Sequence, residues 1–175
     1  GVKMKRSIYC DNTRNLHVWT PDVEELTIGI IHAIPGKNQD LLEYTAMYEF
    51  LTDKGFSIVG NNWDEMELEE TVFLTNDYWK AIQKKEYSLI QNIKSECPSL
   101  PYFLFGSREG YCIAKSILID YPKESFTGVI FSNIPKKFGH NELKLKRYVS
   151  SARRNRRISK ELPIFITEGD DNFRA

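Results

Sequence analysis

The stretch from Tyr102 to Tyr111 constrains the fold of this chain more than any other. It begins with apolar residues, continues through a turn bounded by Gly106 and Gly110, and leads into a helix that starts at about Glu109. A buried strand that turns sharply into a buried helix is typical of parallel sheets covered by helices. Apolar residues recur at helical spacing after the turn, which predicts one buried helix face: Ile113, Ala114, Ile117, Leu118 and Tyr121.

Predicted strands and helices alternate along the rest of the 175 residues. Two β-rich runs at 4–10 and 16–20 predict an opening hairpin. This order predicts an α/β fold with a mostly parallel central sheet, helices on both faces and an N-terminal hairpin. No linker or repeat interrupts the order, which predicts a single domain over 1–175. The further predicted strands are 26–32, 56–60, 101–105, 128–132 and 163–168, and the predicted helices are 39–54, 76–97, 109–121 and 141–157.

Composition narrows the range of partners and cofactors. The formal net charge is +0, so no bulk attraction to nucleic acid or to an anionic membrane is expected, and no apolar run is long enough to span a bilayer. Cys10, Cys97 and Cys112 form no C-x-x-C pair, which favours free thiols and a cytoplasmic location. The acidic run 64–70 lacks the ordered spacing of a calcium loop, so we predict a solvated loop, no metal and no cofactor.

Several segments together resemble one family, the α/β-hydrolases of the monoglyceride lipase and serine aminopeptidase kind. The resemblance extends to about Phe138 and includes the strand that ends in His32, the strand 56–59, and the lead-in 98–106 to the Gly106–Gly110 turn. It implies a truncated α/β-hydrolase fold in which the turn corresponds to the nucleophile elbow, G-x-S-x-G. The segment 164–169 is similar to the strand that carries the family's catalytic acid.

The residues that the family uses for catalysis are changed in this sequence. Arg108 stands where the nucleophilic serine is expected, and a guanidinium that is always protonated cannot attack a carbonyl. Ser107 is an alternative nucleophile, but that register places Glu109 where the turn requires glycine. We therefore interpret Ser107 as an ordinary turn residue. We also expect Arg108 to relax the strained turn, with its side chain paired to a carboxylate or directed to solvent.

The other catalytic parts are changed as well. Asn172 falls at the position of the acid, and it carries no charge to stabilise an imidazolium. The family's base follows a further strand that this sequence does not contain, and we interpret His17, His32 and His140 as structural. The former oxyanion loop reads His32-Ala33-Ile34, and its two expected donors are the backbone N–H groups of Ile34 and Glu109. The Glu109 carboxylate and the bulk of Ile34 disfavour an oxyanion there.

Two further features are candidates for an interaction surface. The predicted helix 141–157 is amphipathic and basic, with Arg153, Arg154, Arg156 and Arg157 on its polar side. Such a helix can meet an acidic protein, nucleic acid or an acidic membrane, and a solvated helix face is the plain alternative. Trp63 lies beside the acidic run and is a candidate anchor for a partner, with burial in the core as the alternative.

Together these features predict a catalytically inactive α/β-hydrolase-like protein that acts by binding another protein. The resemblance includes monoglyceride-lipase-like genes of poxviruses, which implies a viral protein that binds a host protein. The predicted strand 163–168 becomes an open sheet edge if no further strand follows, which predicts homo-oligomers. The alternatives are a remnant that binds lipid or acylglycerol without hydrolysing it, and a weak serine esterase with a relocated nucleophile.

Overall fold

A computed structural model describes residues 5–11, 14–23 and 27–168, and these form one seven-stranded sheet flanked by helices. Short 3₁₀ turns lie at Leu41–Tyr44, Trp63–Glu65, Glu70–Leu74 and His140–Glu142. The helices are α1 (Thr45–Asp53), α2 (Tyr78–Glu96), α3 (Glu109–Asp120), α4 (Leu143–Ser150) and α5 (Ala152–Asn155). The strands are β1 (Lys5–Asp11), β2 (Arg14–Thr20), β3 (Gly29–Ile34), β4 (Phe56–Gly60), β5 (Tyr102–Ser107), β6 (Gly128–Ser132) and β7 (Ile164–Thr167).

The sheet has the strand order β1-β2-β4-β3-β5-β6-β7. Strands β3 to β7 are mutually parallel where they pair, whereas β1 and β2 form an antiparallel hairpin and β2 pairs antiparallel to β4. The α/β fold, the mostly parallel sheet and the N-terminal hairpin predicted from the sequence are therefore confirmed. Each parallel connection contains a helix, as parallel strands require.

Two hydrophobic clusters lie on opposite faces of the sheet. The larger joins the sheet to α2, α3 and α4, and the smaller joins it to the α1 side, so the prediction of helices on both faces is confirmed. On the α1 side, α1 packs on β4 and β2. Towards β7 on that face, Phe103 and Ile130 are only half-buried and Phe165 is exposed.

Two local predictions need correction. The basic segment is two helices, because Ser151 adopts an extended backbone between α4 and α5 and its side chain accepts a hydrogen bond from the Arg154 N–H. The acidic run contains short 3₁₀ turns, and its Asp64, Glu67 and Glu69 side chains are exposed, which agrees with the predicted solvated loop. Trp63 is 2% exposed and packs against Tyr78, so it belongs to the core and cannot serve as a surface anchor.

Within the described ranges, no helix is both long and apolar enough to cross a membrane. The same ranges contain no group of His, Cys, Asp and Glu side chains suited to hold a metal ion.

Candidate functional site

The turn between β5 and α3 is sharp and tightly packed. A Cβ atom on Gly110 would lie 1.9 Å from the carbonyl oxygen of Ile34, and one on Gly106 would lie 2.8 Å from the carbonyl oxygen of Gly110. The N-terminus of α3 therefore approaches the end of β3 at a distance that only glycine permits. This approach fixes the position of the turn independently of the residue at its centre.

Arg108 occupies the centre of the turn with φ 53° and ψ −130°. The expectation of a relaxed turn was wrong, because the glycine contacts and the hydrogen bond from the Arg108 N–H to the Ser132 carbonyl, 3.1 Å long, hold the backbone in place. A non-glycine residue in such a conformation costs about 1–3 kcal/mol. The expected partner is present, since Arg108 Nη2 lies 3.8 Å from Glu43 Oε2 at the surface.

Ser107 is buried immediately before the turn. Its hydroxyl donates to Gln39 Oε1 over 2.7 Å, and the same oxygen accepts the Gly36 N–H over 2.9 Å. The buried Gln39 amide thus ties the end of β5 to the loop after β3. An amide oxygen is not a base at neutral pH, so this contact does not activate the hydroxyl.

A carboxylate lies beside the former oxyanion loop. Glu109 Oε1 accepts the Lys37 N–H over 3.1 Å, and it would lie only 2.6 Å from a Cβ atom on Gly36. The residues His32, Ala33 and Ile34, which were assigned to this loop, lie at the end of β3 and are fully buried. A negative charge at this point would disfavour a developing oxyanion.

A second set of contacts connects the same loop to α2 and to the turn before α4. Lys37 Nζ lies 3.1 Å from Glu142 Oε1, and the Tyr78 hydroxyl donates to that oxygen over 2.7 Å. Burial disfavours the charged form of Glu142, but the bonds from Tyr78 and Lys37 outweigh burial and hold the pKa of Glu142 below its ordinary value. Burial, together with the adjacent carboxylate, raises the pKa of Tyr78.

His32 lies in the core and not at the turn. Its Nε2–H donates to Glu86 Oε2, and its Nδ1 shares a 2.7 Å hydrogen bond with the Tyr102 hydroxyl. His32 and Glu86 are both completely enclosed. This partner explains why α2 carries one carboxylate on an otherwise apolar stripe, a misfit visible in the sequence. The prediction that His32 is structural agrees with these contacts.

The other predicted site residues are dispersed. His17 bonds to Glu65 over 2.8 Å, and His140 is exposed in the turn before α4. Asn172 lies outside the described residues, so its assignment to the acid position stays a prediction. Arg153, Arg156 and Arg157 are exposed, whereas Arg154 is half-buried with its guanidinium 4.1 Å from the centre of the Tyr148 ring.

Two cavities lie away from the turn. One of about 620 Å³ lies between α2 and the sheet, and one of about 290 Å³ lies beside the segment that leads into β7. Neither includes a residue from 106 to 110. The larger cavity is walled mainly by apolar side chains: Leu16, Val18, Ile30, Val59, Leu89 and Ile93.

No protein-family model and no curated protein sequence matches this chain. Solved structures do match. A carboxyl esterase from Bacillus coagulans is similar with a TM-score of 0.58 and 19% identity, over 82% of this chain and 48% of the esterase. An acylaminoacyl peptidase from Pyrococcus horikoshii is similar with a TM-score of 0.62 and 13% identity, over 94% of this chain and 31% of the peptidase.

The thioesterase domain from the curacin biosynthetic pathway gives a TM-score of 0.53 and 19% identity, over 85% of this chain and 53% of that domain. The chain therefore spans about half the length of these proteins or less. The chain has the α/β-hydrolase fold, which confirms the fold implied by the sequence resemblance. At these identities the likeness concerns the fold alone.

Sequence reasoning missed three residues of the site. Gln39, Tyr78 and Glu142 come from separate parts of the chain and meet the turn or its neighbouring loop only in the folded structure. None of them carries a local motif. Only the three-dimensional contacts identify them.

Proposed function

We propose that this chain is a catalytically inactive α/β-hydrolase-fold protein that acts by binding another protein. The observation that carries the proposal is Arg108 at the centre of the preserved turn. Its guanidinium remains protonated and has no lone pair with which to attack a carbonyl. The strand, turn and helix are thus present around a residue that cannot attack a carbonyl, which is the first chemical step in the family.

The surroundings of Arg108 support the same proposal. Ser107 donates its hydroxyl to an amide oxygen, and the Glu109 carboxylate lies beside the loop that would receive an oxyanion. A relocated nucleophile would need both a base and a neutral or positive oxyanion site. Both neighbours oppose such a role for Ser107.

The binding part of the proposal is supported by two exposed features. The strand β7 exposes Phe165 and Ile166, and the α5 region exposes Arg153, Arg156 and Arg157. Apolar edges and clustered arginines are common in protein interfaces. The sequence resemblance to poxvirus genes extends the proposal to a host protein as the partner, and the free thiols of Cys97 and Cys112 suit a cytoplasmic site of action.

Hydrolysis of a short-chain nitrophenyl ester and of a monoacylglycerol tests the catalytic part. We expect no turnover above buffer from the wild-type protein or from the Ser107→Ala variant. Turnover that Ser107→Ala abolishes would establish an esterase and refute the proposal. Arg108→Ser should stay inactive too, because the Glu109 carboxylate remains and the described residues place no histidine at the turn.

Affinity capture from host-cell lysate tests the binding part. We expect one stoichiometric partner that is lost when Arg153, Arg156 and Arg157 are replaced by glutamate. The matched control replaces the exposed Lys136 and Lys137 with glutamate, and it should retain the partner. Equal recovery with both variants would exclude the arginine surface from the interface.

A second candidate function is the binding of a lipid or acylglycerol. It is favoured by the apolar cavity of about 620 Å³, in which the buried Thr20 Oγ1 lacks a hydrogen-bond partner among the described residues. This volume lies in the usual range of ligand pockets. Native mass spectrometry should then show a co-purified lipid that Leu89→Trp removes, and a ligand-free protein would eliminate this candidate.

A further inference from the structure

The larger cavity lies at the opposite end of the parallel strands from the turn at 106–110. It borders Ile30 near the start of β3 and Ser57 near the start of β4, whereas the turn follows the end of β5. Because β3 pairs parallel with both β4 and β5, the first residues of all three strands lie together, away from the turn. The cavity is therefore a separate site from the one that Arg108 occupies.

Three hydroxyl groups lie together in the mainly apolar wall of this cavity. Trp19 pairs with Ile58 in the ladder between β2 and β4. The next residues along these strands, Thr20 and Ser57, therefore lie side by side on the other face of the sheet, where both line the cavity. Ser57 Oγ and Thr27 Oγ1 share a hydrogen bond of 3.0 Å. Whichever of these two hydroxyls donates, the other retains its own hydrogen for a further acceptor.

The Thr20 hydroxyl is the group in this wall that indicates a ligand. Thr20 is only 8% exposed, and its Oγ1 atom has no hydrogen-bond partner within residues 5–11, 14–23 and 27–168. Burying a hydroxyl without a partner is unfavourable, and nearly all buried polar groups in folded proteins have one. A polar group of a molecule bound in the cavity would supply this partner.

The charge of the wall determines which polar group fits. Among the described residues that line the cavity there is no Lys, Arg or His, and the carboxylate there is that of Glu96, at the exposed end of α2. An anionic head group would therefore enter apolar surroundings without a cation and close to a like charge, which is unfavourable. A neutral hydroxyl or carbonyl group avoids this cost and can still bond to the Thr20 hydroxyl.

We infer that this cavity binds a long-chain alcohol or another neutral lipid, whose hydroxyl or carbonyl group bonds to Thr20, and that it discriminates against fatty-acid anions. The chain of such a lipid lies against the apolar part of the wall, which includes Val18, Val59 and Leu89. The volume of about 620 Å³ is usual for a ligand pocket. The inference rests on the second candidate function, lipid binding, and names the head group and the residue that recognises it.

Titration calorimetry of the full chain with dodecanol and with dodecanoate tests the discrimination by charge, because the two ligands have the same chain length. At neutral pH we expect dodecanol to bind at least about 10-fold more tightly than dodecanoate. Leu89→Trp should abolish binding by filling the cavity. Leu74→Trp is the matched control, since Leu74 is 85% exposed and lies outside the cavity, and it should bind like the wild type. Equal affinity for the two ligands would overturn the inference, as would equal binding by the two tryptophan variants.

Thr20→Val tests the recognition of the head group, because it replaces the hydroxyl by a methyl group of similar size. We expect dodecanol to bind about 10-fold more weakly to this variant, whereas the free energy of unfolding without ligand should not fall, because no bond to a described residue is lost. Thr71→Val is the matched control, since Thr71 is exposed outside the cavity, and it should bind dodecanol like the wild type.

The possible outcomes separate this inference from the function on which it rests. If Thr20→Val binds dodecanol as tightly as the wild type, or loses stability without losing affinity, the assignment of Thr20 is wrong and lipid binding remains. If neither dodecanol nor dodecanoate binds to the wild type, the inference and the lipid candidate both fail. Ester turnover would refute only the proposed inactivity.

Discussion

At the elbow turn, a Cβ atom on Gly110 would lie 1.9 Å from a backbone oxygen, whereas at β7 the side chains of Phe165 and Ile166 are 65% and 69% exposed. The residues packed around the turn restrict its backbone to one conformation. The edge strand touches the rest of the sheet on one side through β6. The two regions therefore represent opposite degrees of tertiary restraint in one sheet.

This difference separates a turn that tertiary packing holds in place from a strand that few described residues cover. A positive φ is unfavourable for Arg108. The residue nevertheless has this conformation because the packing of α3 on β3 determines the backbone of the turn. The exposed strand has no such neighbours among the described residues. This comparison is tested by substitutions that disturb the packing of the turn and by substitutions that measure the strain energy of its backbone.

The largest effect is expected from Gly110→Ala, which should break the restraint at the turn. The added methyl group collides with the Ile34 carbonyl and cannot be accommodated without moving α3. We expect a loss of more than about 5 kcal/mol in the free energy of unfolding, which is comparable to the total stability of many domains.

Chemical denaturation followed by circular dichroism measures this loss. Gly128→Ala is the matched control, because a Cβ atom there meets the Phe103 ring at 3.2 Å and a side chain can adjust. Its cost should stay near ~1 kcal/mol. Equal costs at both glycines would contradict the restraint that we assign to the turn.

The second effect concerns the buried pair formed by His32, a residue of the former oxyanion loop, and Glu86. Glu86→Ala leaves His32 without its partner in a site closed to water, and such a loss costs about 3–5 kcal/mol. Denaturant unfolding of Glu86→Ala should show this loss, while Glu96→Ala on the exposed end of α2 should stay within about 0.5 kcal/mol. The double variant His32→Leu/Glu86→Leu should recover part of the loss, because no buried charge remains unpaired, although the Tyr102 hydroxyl loses its partner. If the double variant recovers none of the lost free energy of unfolding, the pair stabilises the core by filling space and not by its charges.

The sequence was sufficient to predict most of the fold but little of the site. Apolar periodicity located β4, β6 and α3, since their patterns match the burial that the structure shows. Glu86 was visible only as a polar residue on an apolar stripe, because its partner is 54 positions away in the chain. The conformation of Arg108 was mispredicted, since residue preference was weighed without the contacts of Gly110.

The third effect is a pH dependence that arises from Glu142. Its folded-state pKa lies below the ordinary value of 4.5, so its bonds to Tyr78 and Lys37 stabilise the protein above that value. This stabilisation is lost as the pH falls through the lower, folded-state pKa. Glu142→Gln should therefore cost about 2 kcal/mol at neutral pH and progressively less in acid.

Denaturant unfolding of both proteins between neutral pH and pH values below 4.5 measures this difference. Glu161→Gln, which alters an exposed carboxylate, provides the control and should show little difference at any pH. A difference between wild type and Glu142→Gln that stays constant with pH would show that the carboxylate charge is not what stabilises this contact.

The smallest effect measures the strain that the turn imposes on Arg108. Arg108→Gly removes the penalty of φ 53° but increases the entropy of the unfolded chain, so we expect a net gain of about 1 kcal/mol in the free energy of unfolding. Arg108→Ala is the matched control, because it removes the same guanidinium and its contact with Glu43 while keeping a Cβ atom. That contact lies at the surface, so its loss should cost less than about 0.5 kcal/mol. Thermal and denaturant unfolding should therefore show that the glycine variant is more stable than the wild type and the alanine variant. If the glycine and alanine variants are equally stable, the turn is unstrained, and its backbone conformation gives no evidence of restraint by α3.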